Sequence, residues 1–219
     1  MKKKKTLLIT SIAFLATATL LISYSLFLII GSQIRANERM NEWDALVAQQ
    51  EGESSIVSSV SQTSKQTVSE ISAKPTPTQA VLPKTVYKHE LFGLIIFPTL
   101  DNRKVVVVNG ITNKDLRGAA GHSKNSVLPG EIGNCIVFGH RDGVFRGFKR
   151  LKIEDPIIFK TLQKECSYKI ISMTVEKPKA ELIHMRYLDR SILTLVTCYP
   201  FNYIGVAPNR YVVVLELIK

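Results

Sequence analysis

Between Lys5 and Arg35 the chain carries no charged residue, and Leu7 to Ile30 is a nearly unbroken apolar stretch of 24 residues. As a helix it would run roughly 36 Å at about 1.5 Å per residue, enough to cross a bilayer core about 30 Å thick. A cleaved signal peptide needs only about 7–15 apolar residues. Ala16-Thr17-Ala18 looks like a cleavage site, but mostly apolar residues continue beyond it to Ile30. The pattern therefore predicts an uncleaved membrane anchor over residues 7–30. Lys2, Lys3, Lys4 and Lys5 would hold residues 1–6 in the cytoplasm, so that the chain from about Gly31 onward lies outside, with one pass through the cell membrane.

Past the apolar stretch, Ile34, Met40, Trp43, Leu46 and Val47 are loosely helix-spaced, which predicts a brief continuation of the helix. From Gln49 to about Lys84 the residues are mainly Ser, Thr, Gln and Val, with Lys74-Pro75-Thr76-Pro77-Thr78 inside. Too few large apolar groups are present to offset ordering entropy, so residues 31–85 read as a juxtamembrane segment and flexible stalk. The part from Gln49 to about Lys84 would have a reach of roughly 30–35 Å.

From residue 86 to 219 the pattern changes again. Phe92–Phe97, Lys104–Val108, Asn134–Phe138, Ser167–Thr174, Ile192–Thr197 and Arg210–Leu217 read as strands, with turn signals at Asn109-Gly110, Pro129-Gly130 and Arg141-Asp142-Gly143. Short helices are predicted near Lys114–Ala119 and Val144–Leu151. Strands do not alternate with long helices, so a parallel doubly wound sheet is disfavoured; the expectation is an all-β domain, an antiparallel barrel or sandwich. Cys198 ends one apolar run and Arg210 opens the last, so hairpin-like pairing would put both on one rim. The residues between them would wall a groove.

Charge sharpens the picture little. The net charge is +11; from Val86 onward 20 Lys and Arg stand against 12 Asp and Glu, leaving +8. That suits an anionic neighbour, but no basic stripe interleaves with aromatics, so no nucleic-acid partner is expected. No dense carboxylate cluster points to a metal, and no cofactor is expected. Three cysteines make no disulfide framework. Cys135 in Asn134-Cys135-Ile136-Val137-Phe138 reads as a buried small hydrophobe, and Cys166 among Lys164, Glu165 and Ser167 as a surface or edge residue. Cys198 needs a chemical explanation. A thiol nucleophile requires a base or cation nearby, because only a few per cent of free thiol is thiolate near pH 7. Of the four histidines, His89 and His184 read as exposed, His122 as a loop residue, and His140 as the end of a buried strand. Spacing alone does not choose between His122 and His140.

Thr194-Leu195-Val196-Thr197-Cys198 followed by Arg210 resembles the TLxTC…R signature of sortases, and Gly139-His140-Arg141-Asp142 resembles their catalytic-histidine segment. Cys198-Tyr199-Pro200-Phe201-Asn202-Tyr203, Ala207-Pro208-Asn209-Arg210-Tyr211 and Gly121-His122 leading to Leu128-Pro129-Gly130-Glu131 are similar to class D sortases. The resemblance covers about residues 90–217. It implies a closed antiparallel barrel of about eight strands and a two-step acyl transfer at a Leu-Pro-x-Thr-x sorting signal. Cys198 would be the nucleophile, His140 the proton-transfer partner and Arg210 the cationic stabiliser, with Thr197 supporting the oxyanion. His122, Tyr199, Asn202 and Tyr203 are the candidate groove-lining residues. The implied partners are surface proteins with a C-terminal sorting signal and a cell-wall amine acceptor. Ile153-Glu154-Asp155-Pro156 departs from the family, where a Gly-Asp turn is common, and Phe97-Pro98-Thr99-Leu100 from a more usual Ile-Pro-Lys-Ile. Two other readings remain: an extracellular cysteine peptidase that releases product to water, and a non-catalytic tethered β-barrel binding module.

Overall fold

A computed structural model of the chain describes residues 2–60, 91–178, 189–203 and 205–218, and the side chains of these except for residues 2–10, 28–29, 32 and 51–60. Helix α1 (Lys2–Val60) is followed by strands β1 (Leu91–Phe97), β2 (Arg103–Asn109), β3 (Ala120–His122), β4 (Gly133–Phe138), β5 (Pro156–Lys160), β6 (Glu165–Glu176), β7 (Ser191–Tyr199) and β8 (Asn209–Leu217). The strands close into a barrel in the order β1-β2-β3-β4-β7-β8-β6-β5, with β5 pairing back onto β1.

The expected closed, mainly β architecture is present, but the barrel is not wholly antiparallel. β2 pairs with β3 in parallel, and β4 with β7. Between β4 and β7 the chain makes β5 and β6 on the far side of the barrel, and such a long crossover lets it return in its original direction. Two short strands, β3 and β5, join the six predicted from the pattern. The helix expected at Lys114–Ala119 is a turn: Asp115 Oδ2 accepts from Thr112 N at 2.9 Å and Thr112 Oγ1 at 2.7 Å, and such local bonds compete with helix. Only a single 3₁₀ turn, Phe148–Arg150, forms within Val144–Leu151.

Strand alternation sorts the side chains. Ile95, Phe97, Val105, Val107, Cys135, Val137, Phe159, Tyr168, Ile170, Leu193, Leu195, Val213 and Leu215 fill the barrel interior. Cys166 belongs with them at 5% exposed, because it shares the parity of Tyr168 and Ile170; the expected surface position is corrected. The opposite parity, Ile136, Ile192, Val196, Val212 and Val214 with Phe138 beside them, forms a second apolar layer on the outer face of β4, β7 and β8. Glu154 takes φ 71°, the left-handed turn geometry that a glycine would enter without strain, and its carboxylate meets Lys169 Nζ at 3.1 Å.

A third layer lies outside β1 and β2. α1 continues through Val60, beyond the brief extension expected, and Met40, Trp43 and Val47 along one helix face pack on Leu94, Val106, Ile96 and Leu162. Trp43 is 4% exposed. Gln50 Nε2 donates to the Leu162 carbonyl at 2.9 Å. At the other end of the contact Gly118, with φ +77°, lies so close that a Cβ there would stand 3.0 Å from the Ala36 nitrogen. Among the described residues no helix is long and apolar enough to cross a membrane. His89, His184 and the expected stalk beyond Val60 lie outside the described residues.

Candidate active site

β7 and β8 pair antiparallel with Cys198 directly opposite Arg210. Directly opposed residues project to the same face with Cβ atoms about 4.5–5.5 Å apart. That face is the outer one, since Cys198 follows the parity of Ile192 and Val196, and Arg210 that of Val212 and Val214. On the other side of β7, β4 runs parallel in the register Ile136↔Thr194 and Phe138↔Val196. β4 ends at Phe138, two residues short of His140. β7 and β8 thus present a thiol and a guanidinium on one sheet face, and the turn that follows β4 runs beside β7 and carries the imidazole.

Two hydrogen bonds hold the histidine segment to the cysteine strand after the ladder ends. Gly139 N donates to Val196 O at 3.1 Å, and Thr197 Oγ1 donates to Gly139 O at 2.7 Å. Thr197 is 2% exposed, and its hydroxyl braces the histidine turn. Position 139 requires glycine: a Cβ would sit 2.6 Å from the Phe145 ring. The His140 carbonyl then accepts from Gly143 N and Phe145 N, closing the turn. Asp142 is exposed in that turn.

Cys198 is partly exposed, whereas Cys135 and Cys166 are buried. Burial pushes both interior thiols up: Cys135 far above the usual thiol range, Cys166 in the same direction. The accessible sulfur is therefore the one beside a guanidinium. Arg210 Nη1 donates to Asn209 O at 3.1 Å and Ala207 O at 3.4 Å, which orients the head group across the strand end. Among the described residues neither the Cys198 thiol nor the His140 ring hydrogen-bonds another side chain, and catalytic contacts in unliganded sites are commonly loose.

The other candidates separate. Asn202 and Tyr203 are exposed on the β7–β8 loop. Tyr199 stacks on Tyr211 and meets Phe201 edge-on, an aromatic cluster that plugs the barrel end against the interior core. His122 is 3% exposed and stacked 4.0 Å from the Phe92 ring, with Nε2 3.1 Å from Val127 O and Nδ1 3.3 Å from Asn109 Oδ1. It sits in strand β3, not in the loop expected, and reads as a wall residue. Sequence reasoning passed over Arg141, which reaches the β7–β8 loop. Its acceptors are backbone carbonyls, which leave no mark on residue types. Among the described residues no group of His, Cys, Asp and Glu could hold a metal ion.

A family model described as the sortase domain matches residues 95–218, more than half of the chain. Sortase D of Bacillus subtilis (strain 168) is 34% identical over 122 residues, which cover 55% of this chain and 61% of that protein's own length. Among solved structures, a Sortase D5 transpeptidase of Clostridium perfringens superposes with a TM-score of 0.53 at 30% identity, over 59% of this chain and 79% of that one. Sortase A of Corynebacterium diphtheriae shares the fold, with a TM-score of 0.55 at 22% identity over 60% of this chain and 62% of that one. A chain whose barrel pairs Cys198 with Arg210 across β7 and β8, and whose residues 95–218 match the sortase domain, belongs to the sortase family.

Proposed function

We propose that this chain is a membrane-anchored cysteine transpeptidase that cuts a Leu-Pro-x-Thr-x sorting signal and transfers the freed carboxyl end of a surface protein to a cell-wall amine. The observation that carries the proposal is the Cys198–Arg210 pairing, with His140 in the turn that follows the adjoining strand β4. The Cys198 thiolate attacks the Thr carbonyl, and the negative charge that develops on its oxygen is met by the guanidinium of Arg210 through charge-assisted hydrogen bonds. As the C–N bond breaks, the His140 imidazolium gives its proton to the departing amine, leaving a thioester on Cys198. An incoming amine attacks the thioester, His140 takes its proton, and the thiolate leaves.

In this reading residues 1–6 are cytoplasmic, 7–30 span the membrane, 31–85 connect, and 86–219 form the extracellular catalytic domain. The apolar run and its lysine flank support that topology.

The test uses the full chain in detergent micelles, a sorting-signal peptide, and mass spectrometry with and without an amine acceptor. The native chain should give an amide with the acceptor and a hydrolysed peptide without it. Cys198→Ala should form no thioacyl adduct. His140→Ala should lose about 10²–10⁴-fold in rate, and Arg210→Ala about 10²–10³-fold. Full activity in His140→Ala, with His122→Ala inactive, would transfer the proton role to His122. Hydrolysis alone, whatever the acceptor, would favour a peptidase.

A further inference from the structure

The residue after His140 carries a guanidinium that the reaction above does not use. Arg141 Nη1 donates to Pro200 O at 3.0 Å, and Nη2 to Tyr203 O at 2.5 Å and Gly205 O at 3.3 Å. Its Cζ lies 5.9 Å from the centre of the Tyr203 ring. All three acceptors are main-chain carbonyls of the segment between Cys198 and Arg210. Among the described residues no carboxylate lies within ion-pair range of Arg141, so its charge is directed to peptide oxygens.

Little else ties that segment down. Asn202, Tyr203, Gly205 and Val206 are exposed, Val206 at 94%. Among the described residues no backbone–backbone hydrogen bond closes within 200–208. The loop is held at its root by the Tyr199–Phe201–Tyr211 cluster, at its end by Arg210 Nη1 on Ala207 and Asn209 carbonyls, and in the middle by Arg141. Acceptors spread over positions 200, 203 and 205 suit a planar fork of donors; a single ammonium cannot reach all three.

We propose that Arg141 is a positioning residue, a clamp that fixes the β7–β8 loop beside the thiol so that an extended peptide meets a preformed wall. Since Arg141 is joined to His140 through one peptide bond, loop placement and imidazole placement share a single anchor on the histidine turn. Truncating the clamp frees the wall and leaves the thiol and Arg210 on their strands and His140 in a turn still held by the Gly139–Val196 and Thr197–Gly139 bonds. The defect therefore falls on peptide capture, not on the chemistry of sulfur. This inference rests on the transpeptidase reading.

The experiment compares the native full chain in detergent micelles with Arg141→Ala and Arg141→Lys by three readouts: amide hydrogen exchange at residues 200–209, KM and kcat for a sorting-signal peptide, and the rate at which iodoacetamide alkylates Cys198. In Arg141→Ala, exchange should accelerate in that loop alone and KM should rise about tenfold or more, since a freed wall binds the peptide less tightly. kcat should stay within about threefold and alkylation within about twofold, as expected when binding is lost ahead of chemistry. Arg141→Lys, which keeps the charge and most of the volume, should fall between and covers the case in which Arg141→Ala does not fold. Unchanged KM and exchange in both variants overturns the clamp; so does a loss shared equally by kcat and alkylation, or faster exchange over the whole barrel. If the native chain turns over no sorting-signal peptide, the transpeptidase reading fails, while exchange at 200–209 still decides whether Arg141 holds the loop.

Discussion

Burial of the His122 imidazole disfavours its charged form and holds its pKa below the ordinary histidine range, although the contact with Val127 O acts the other way. In the unfolded chain the same ring titrates near 6.5. The unfolded state therefore binds the extra proton first as pH falls, so stability is full above about pH 6.5 and declines as pH drops through the lowered folded value. The melting temperature of the native chain should fall more between pH 7 and pH 5 than that of His122→Gln, as scanning calorimetry will read; equal slopes would discount the ring. At this scale the sequence was informative where a residue falls within two positions of a strand terminus, as Cys198, His140 and Arg210 do. It was silent where parity decides. Cys166 has polar neighbours because Glu165 and Ser167 take the other parity, and His122 looked like a loop residue because its strand is three residues long.

β4 lies parallel to β7, so the turn after it, which carries His140, starts beside the cysteine strand, and Thr197 fastens the seam where the ladder runs out. Replacing Thr197 by Val keeps the shape and removes the donor, leaving the Gly139 carbonyl buried without its partner. The expected cost is about 1–3 kcal/mol, measurable by chemical denaturation, together with slower turnover as the histidine turn loosens. An unaltered stability would mean that the Gly139 N–Val196 O bond suffices. The longer strands could be read from alternation of Val, Ile and Leu. Neither short strand could: β3 is Ala-Gly-His, and β5 opens on proline, which marks strand ends and edges. Parallel pairing was hidden for a different reason. Alternation tells which side chains face inward, but not which strand lies alongside, and that is settled by closure of the whole barrel.

At the scale of the molecule, the helix continues past the apolar run as the spacing from Ile34 to Val47 predicts, and the residues that seat it on the barrel are few and specific. Met40, Trp43 and Val47 lay their side chains on β1 and β2, and Gly118 admits the helix backbone. Helical spacing was visible in the sequence, but the partner surface, the outward residues Leu94, Val106 and Ile96, had no mark distinguishing it from any other strand face. Trp43 is the sole tryptophan, so docking has a clean optical report. Native emission should be blue-shifted and should move to the red when Gly118→Val forces a side chain into the helix backbone; a solvent-like native spectrum would mean that the helix stands free.

A continuous helix from the lysine-flanked apolar run to the barrel contact acts as a crankshaft. Trp43 lies 13 residues beyond Ile30, a height of about 20 Å above the apolar run at 1.5 Å per residue. Adding residues between Ile30 and Arg35 would then alter bearing as well as elevation. Four extra residues lift the barrel about 6 Å and turn it only about 40°, whereas two lift it about 3 Å but swing it about 200°. If the site must face a particular partner, the smaller insertion does the greater harm.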